Sequence, residues 1–199
     1  MADVMTEGRR ERRRRELRYR IVGTAMEMFL ERGFDAVPVT EIAEAADVAE
    51  KTVFNHFPTK AHLVFGPGDD LFAELLDTIR HRGPGEPVVD AVLRFRLAPA
   101  APGRPDGPTR EFLDLIAASP TLQAHRRAVF ARWEAELAAE LAGDTGTEPG
   151  SVEPFVVAAA LMAVLRAPFE TAVPDRDHRG ALAALELLRD GLVGYAPRA

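Results

Sequence analysis

Lys51, Thr52 and Asn55 fall in one short run, KTVFN, and each carries a group suited to a nucleic-acid base. A lysine ammonium donates to guanine O6 and N7. An asparagine amide pairs bidentately with adenine, and a threonine meets a thymine methyl or a phosphate. Such groups act only if something rigid holds them out. The spacing predicts a short helix from Glu50 to Phe57, with Val53, Phe54 and Phe57 inward and Lys51, Thr52, Asn55 and His56 outside. Ahead of it, Thr40 is expected to cap a helix, in which Ile42, Ala43, Ala46 and Val48 form one apolar face. Asp47 stands where the chain must turn, and Asp tolerates the left-handed conformation better than most residues. Pro58 should stop the second helix, and Thr59 should cap a third that starts with Lys60. Two short helices joined by a tight turn, the second presenting hydrogen-bonding side chains, make a helix-turn-helix.

The run VAEKTVFNHFPTK, with IAEAADV upstream, resembles the signature of tetracycline-repressor-like (TetR) regulators over about residues 16–65. The signature has a buried aromatic at the place of Phe54. This chain departs from it at Asp47, where the family usually has Gly, and at Ala49, where it usually has Ser or Thr. Alanine cannot cap, so the second helix loses about 1 kcal/mol unless Asp47 supplies the cap. Residues 1–8 hold little that could be buried and are expected to be a disordered tail. The resemblance implies an all-α protein, with a three-helix DNA-binding domain at 9–58 and a larger helical effector-binding and dimerisation domain at 59–199. By the same resemblance Thr40, His56 and Lys60 contact phosphates, which position a protein without specifying sequence. It further implies a homodimer through the two C-terminal helices and repression as the usual outcome. The two recognition helices would enter successive major grooves of a palindrome, about 34–36 Å apart or a multiple of that. A small effector that favours a different spacing would shift the population off the operator.

Net charge is −6 over 199 residues, which at first sight suits no DNA binder. The distribution matters more than the total. Residues 1–65 hold 11 basic and 11 acidic side chains, and residues 66–199 hold 14 and 20. Between positions 9 and 20, eight arginines face only Glu11 and Glu16. That run is expected to lie along phosphates or to reach the minor groove. Lys51 and Lys60 are the only lysines.

The chain has no cysteine, which excludes disulfides and thiolate chemistry. His56, His62, His81, His125 and His178 are spread over different elements, so no metal site and no catalytic constellation is expected. No cofactor is expected either. Neither a membrane-spanning run nor a signal peptide is apparent, and a cytoplasmic protein is the expectation.

The remaining elements read as helices throughout. Leu17, Ile21, Ala25, Met28 and Phe29 recur at helical steps, and Gly33 ends that first helix. Gly66-Pro67-Gly68 should kink or split the helix that follows the helix-turn-helix. Further helices are expected at Pro87 to Leu97, Thr109 to Ala117, Pro120 to Leu141, Glu153 to about Ala167 and Arg179 to about Val193. Loops are expected at 98–108 and 143–150. Ser151 should cap the penultimate helix, and Pro168 should kink or end it. Its apolar core, FVVAAALMAVL, is too apolar to expose a face and too short for a bilayer. A second subunit would cover it, with Ala158, Ala159, Ala160 and Ala163 allowing close approach. Phe72, Phe95, Phe112, Phe130, Trp133 and Phe169 are candidates to line a pocket for a small apolar or amphipathic effector. The alternative reading is a helical interaction or adaptor protein of the same fold that has lost DNA binding.

Overall fold

The computed structural model describes residues 8–98, 108–146, 148, 150–171, 173 and 179–191; the expected tail at 1–8 lies almost entirely outside them, as do His178 and most of the 98–108 loop. The described residues form α-helices and no strand. The chain divides into two compact units, one ending at Pro67 and the other beginning at Gly68. This division falls inside a helix.

In the first unit, α1 (Arg9–Arg32), α2 (Val39–Ala45) and α3 (Glu50–His56) are followed by the start of α4 (His62–Arg80). Ile21, Ala25 and Phe29 of α1 are fully buried, with Val37, Ile42, Val53, Phe57 and Leu63 around them. Phe29 and Phe34 pack with centroids 5.1 Å apart. Gly33 ends α1 at φ 83°, a left-handed position suited to glycine. Asp47 turns the chain between α2 and α3 at φ 53°. Its short side chain is what makes that conformation tolerable in a non-glycine residue.

Three expected caps are absent. Thr40 lies inside α2, whose cap position is Pro38 and carries no side-chain bond. Proline fixes the extended-to-helix transition two residues earlier than the threonine would. Thr59 Oγ1 bonds His62 Nδ1 at 2.8 Å instead of a backbone N–H. Ser151 donates to the Glu148 carbonyl at 2.7 Å. Ala49, as expected, leaves α3 without a side-chain cap; Asp47 does not supply one.

The Gly-Pro-Gly stretch does not split the helix. The sequence α4 (His62–Arg80) is one helix with Pro67 inside it. Pro67 is exposed, and the glycines on either side are where neighbours come close. A Cβ on Gly66 would stand 3.5 Å from Phe57, and one on Gly68 3.0 Å from Trp133 Cη2. Packing on both glycines holds the helix through a residue that lacks an N–H.

In the second unit, α4 continues with α5 (Val88–Leu97), α6 (Arg110–Ala118), α7 (Pro120–Thr145), α8 (Val152–Thr171) and α9 (Arg179–Arg189). Thr109 and Ser119 cap α6 and α7 by accepting from Phe112 N and Leu122 N. The core joins Phe72, Leu75 and Ile79 of α4 to Val92 of α5, Phe130 and Leu137 of α7, Leu161 and Met162 of α8, and Leu185 of α9. Helix α7 runs past Gly143 and ends at Gly146, φ 67°.

Pro168 neither ends nor shortens α8, which reaches Thr171. At 20 residues it is long and apolar enough by composition to cross a membrane, which corrects the expectation of a segment too short to do so. Its attachments are to protein. Ala158, Leu161, Met162 and Val164 are buried, Arg166 pairs with Glu134 of α7 at 3.0 Å, and Arg126 of α7 pairs with Glu170 at 2.7 Å. Charged residues placed this way dock a helix on a neighbouring helix; in hydrocarbon they would be a cost.

Candidate nucleic-acid interface

The interface is built on α3. Val53 and Phe57 are buried to 1% exposure and fix the inner face of the helix. At about 100° per residue, the other positions follow by rotation away from Val53. Going round, Phe54 comes first, then Lys51, then Asn55, then Thr52 and His56. Lys51 and Asn55 are exposed, and Thr52 and His56 are half-buried. All four were expected outside.

Phe54 was expected inside and is not: it is 43% exposed. The reason is angular. Val53 and Phe57 lie about 40° apart on the helix and fill the contact with the core, leaving Phe54 at the edge of the outward arc beside Lys51. Counting angles, rather than assigning every apolar residue to the core, was the signal available in the sequence.

Arginines of α1 secure the far end of α3. Arg18 donates to the His56 carbonyl at 3.4 Å, and its guanidinium sits 5.0 Å from the Phe57 ring centroid. This supplies a donor and a positive charge at a helix C-terminus, where carbonyls are unpaired. The cluster also acts on the His56 imidazole. Burial, followed by the charges of Arg14 and Arg18, holds its pKa below the ordinary histidine value of 6.5. His56 is therefore neutral at pH 7, and its buried Nδ1 has no hydrogen-bond partner. Arg12, Arg13, Arg14 and Arg15 are exposed on helix α1, so this part of the basic run is helical and not an extended arm.

Thr40 is exposed in the first turn of α2. Lys60 is placed differently from the rest. Its ammonium donates to the Phe34 carbonyl and lies 4.3 Å from the Phe34 centroid and 5.5 Å from that of Phe29. Burial pushes it below the ordinary lysine range, with Asp35 pulling the other way. One of its three donors is thus used within the protein. Arg32 joins Glu41 at 2.5 Å across the α1–α2 connection, holding that carboxylate below its usual range by hydrogen bond and charge.

In the second unit, five of the six aromatic candidates form a chain of ring contacts. Phe72 stacks on Trp133 at 5.0 Å, and Trp133 meets Phe130 edge-on at 5.2 Å. Phe130 meets Phe169 at 5.3 Å, and Phe169 meets Phe112 at 6.3 Å. Phe95 packs against the same core. Trp133 Nε1 donates to Asp69 at 2.9 Å, and the Arg126 guanidinium lies 5.9 Å from the Phe169 centroid. An open apolar groove of about 570 Å³ lies elsewhere, between Ala135, Ala138 and Ala139 of α7 and Val152, Phe155 and Val156 of α8. Among the described residues, no group of three or more histidines or carboxylates is placed to hold a metal.

Comparison with known proteins agrees with this arrangement. Residues 21–65 match the family model described as "Bacterial regulatory proteins, tetR family", and residues 84–193 match the MftR C-terminal domain. The chain is 28% identical over 168 residues to MftR of Mycobacterium tuberculosis, named for regulation of mycofactocin biosynthesis, covering 82% of this chain and 83% of MftR. It is 32% identical over 85 residues to the HTH-type transcriptional regulator TcmR of Streptomyces glaucescens, covering 43% of this chain but only 38% of TcmR. In fold it is similar to NalD of Pseudomonas aeruginosa, with a TM-score of 0.54 and 22% identity over 89% of this chain and 97% of that one. With both family models matched, the second over more than half of its length, the chain belongs to the tetR family of DNA-binding transcriptional regulators, with a C-terminal domain of the MftR type.

Proposed function

We propose that the protein is a homodimeric repressor that binds a palindromic operator and is released from it by a small apolar or amphipathic effector. The observation that carries this reading is the outward arc of α3. Lys51 and Asn55 stand exposed beside Thr52, on a helix pinned from below by Val53 and Phe57. Lys51 and Asn55 are assigned to base edges, and Thr52 to a thymine methyl or a phosphate. Thr40, His56 and Lys60 are assigned to phosphates, Lys60 with the donors that the Phe34 carbonyl leaves over. Repression is supported by a relative named as a transcriptional repressor, KstR of Rhodococcus jostii, 30% identical over 95 residues.

The second copy is assigned to α8 and α9. Val152, Phe155 and Val156 are more than half exposed, and such a strip suits another protein surface. The effector is assigned to the aromatic chain of Phe72, Phe112, Phe130, Trp133 and Phe169, together with Phe95. A protein that reads the bacterial chromosome works in the cytoplasm.

A gel shift with the DNA upstream of its own gene, run at several salt concentrations, tests the reading. Specific binding that weakens with salt is expected, and Lys60→Ala should flatten the salt slope by about one unit. An unchanged slope would remove Lys60 from the phosphate contacts. No binding at any salt would instead favour the interaction or adaptor protein.

A further inference from the structure

We propose that Phe54 is a specificity residue that reads thymine through its C5 methyl group. The proposal rests on the DNA-binding reading of α3 and extends it to a residue whose type promises no hydrogen bond. Phe54 is 43% exposed, although the core beneath α3 is closed by Val53 and Phe57. On the helix it adjoins Lys51, about 60° round the outward arc. The exposed part of the ring is apolar area that contact with a partner would remove from water.

The neighbours decide which partner. Lys51 lies next to the ring and Asn55 beyond it, Glu50 stands one turn below, all three exposed, and the arginines of α1 reach the end of the same helix at His56. A protein-docking surface would surround an exposed aromatic with further apolar groups. Here the neighbours are polar rather than apolar, the Glu50 carboxylate on one side and an ammonium and an amide on the other, and the ammonium and amide match a polyanion with polar base edges. In the major groove the thymine methyl is the one apolar feature of a base edge, and a phenyl ring is one of the groups that contacts it. Phosphates give the ring nothing to bind, and the other base edges present donors and acceptors it cannot satisfy.

The test removes only the methyl. Duplexes retained by the full chain are selected from a random pool, and each thymine of the selected site is replaced in turn by deoxyuridine. Affinities are measured at one salt concentration for the wild type, Phe54→Ala and Phe54→Tyr. The wild type should lose about three- to five-fold at one thymine per half-site, the worth of one buried methyl group. Phe54→Ala should lose a similar factor on the thymine duplex and be indifferent to uracil at that position. Phe54→Tyr, which keeps the ring, should remain sensitive. Full wild-type affinity at every uracil position would overturn the proposal, as would a methyl effect of the same size in Phe54→Ala. If no duplex is retained at all, the DNA-binding reading fails and this one with it, an outcome distinct from binding that ignores the methyl.

Discussion

Helices α3 and α8 both hold apolar side chains in water, and they do so in different company. On α3 a single ring, Phe54, adjoins Lys51, with Asn55 next round the arc. On α8, Val152 is 76% exposed, Phe155 54% and Val156 55%. They run on into the alanines at 159, 160, 163 and 167 and border an apolar groove with α7. An exposed apolar group is therefore not informative by itself. One ring on a polar arc suits a polar surface carrying scattered methyls, whereas a continuous strip with small residues suits the close approach of another helix. If that distinction holds, damage to the two helices should fail in different ways.

The largest effect is expected on α8. Val156→Glu places a charge in the middle of the strip, where a second copy would have to bury it. Light scattering should report half the wild-type mass while helicity stays intact. Operator affinity should fall by about 10²-fold or more, because the second half-site then binds without the benefit of linkage. A variant that remains dimeric would show that the strip is not the interface. On α3 the expected failure is local. Asn55→Ala should cost about 1–3 kcal/mol at one or two base positions and leave the dimer untouched. Uniform loss over all sequences, measured by competition among single-base operator variants, would reduce Asn55 to a backbone contact and weaken the contrast.

The polar face of α3 was legible in the sequence because a seven-residue helix with Val53 and Phe57 inside has few ways to turn. Phe54 was not, because apolar character was read without its angle. The strip on α8 was visible as an excess of apolar residues, but its length was not. Pro168 reads locally as a stop, yet the packing of α8 on α7 carries the helix past it. The same override governs α4, where Gly66-Pro67-Gly68 looks like a break and tertiary contacts on the glycines close it. Those two glycines give a pair of opposite predictions. At Gly66 an added methyl meets Phe57 at an ordinary 3.5 Å, so Gly66→Ala should stabilise by about 0.5–1 kcal/mol through helix propensity. At Gly68 it meets Trp133 at 3.0 Å. That ring cannot yield, being stacked on Phe72, edge-on to Phe130 and bonded to Asp69. Overpacking of about 1–3 kcal/mol then outweighs the propensity gain. Thermal melts of the two variants should shift in opposite directions, and a rise for both would mean that Trp133 moves aside.

The smallest effect separates the helices by pH. His56 has a depressed pKa in the free protein, from burial first and from Arg14 and Arg18 next. Between its folded value and 6.5 the unfolded chain binds more protons, so the first unit loses stability as pH falls through 6.5. A phosphate beside the ring acts in the opposite sense, since it favours the imidazolium and raises the pKa in the complex. Operator binding then takes up a proton and tightens as pH falls from about 7.5 to 6. His56→Gln should abolish the dependence while preserving affinity at pH 8. Helix α8 carries no histidine, so the mass of the dimer should stay constant over the same range. Binding that is flat with pH in the wild type would take His56 off the phosphate backbone. A dimer that dissociates between pH 7.5 and 6 would place a titrating group at the α8 surface, which the apolar strip gives no reason to expect.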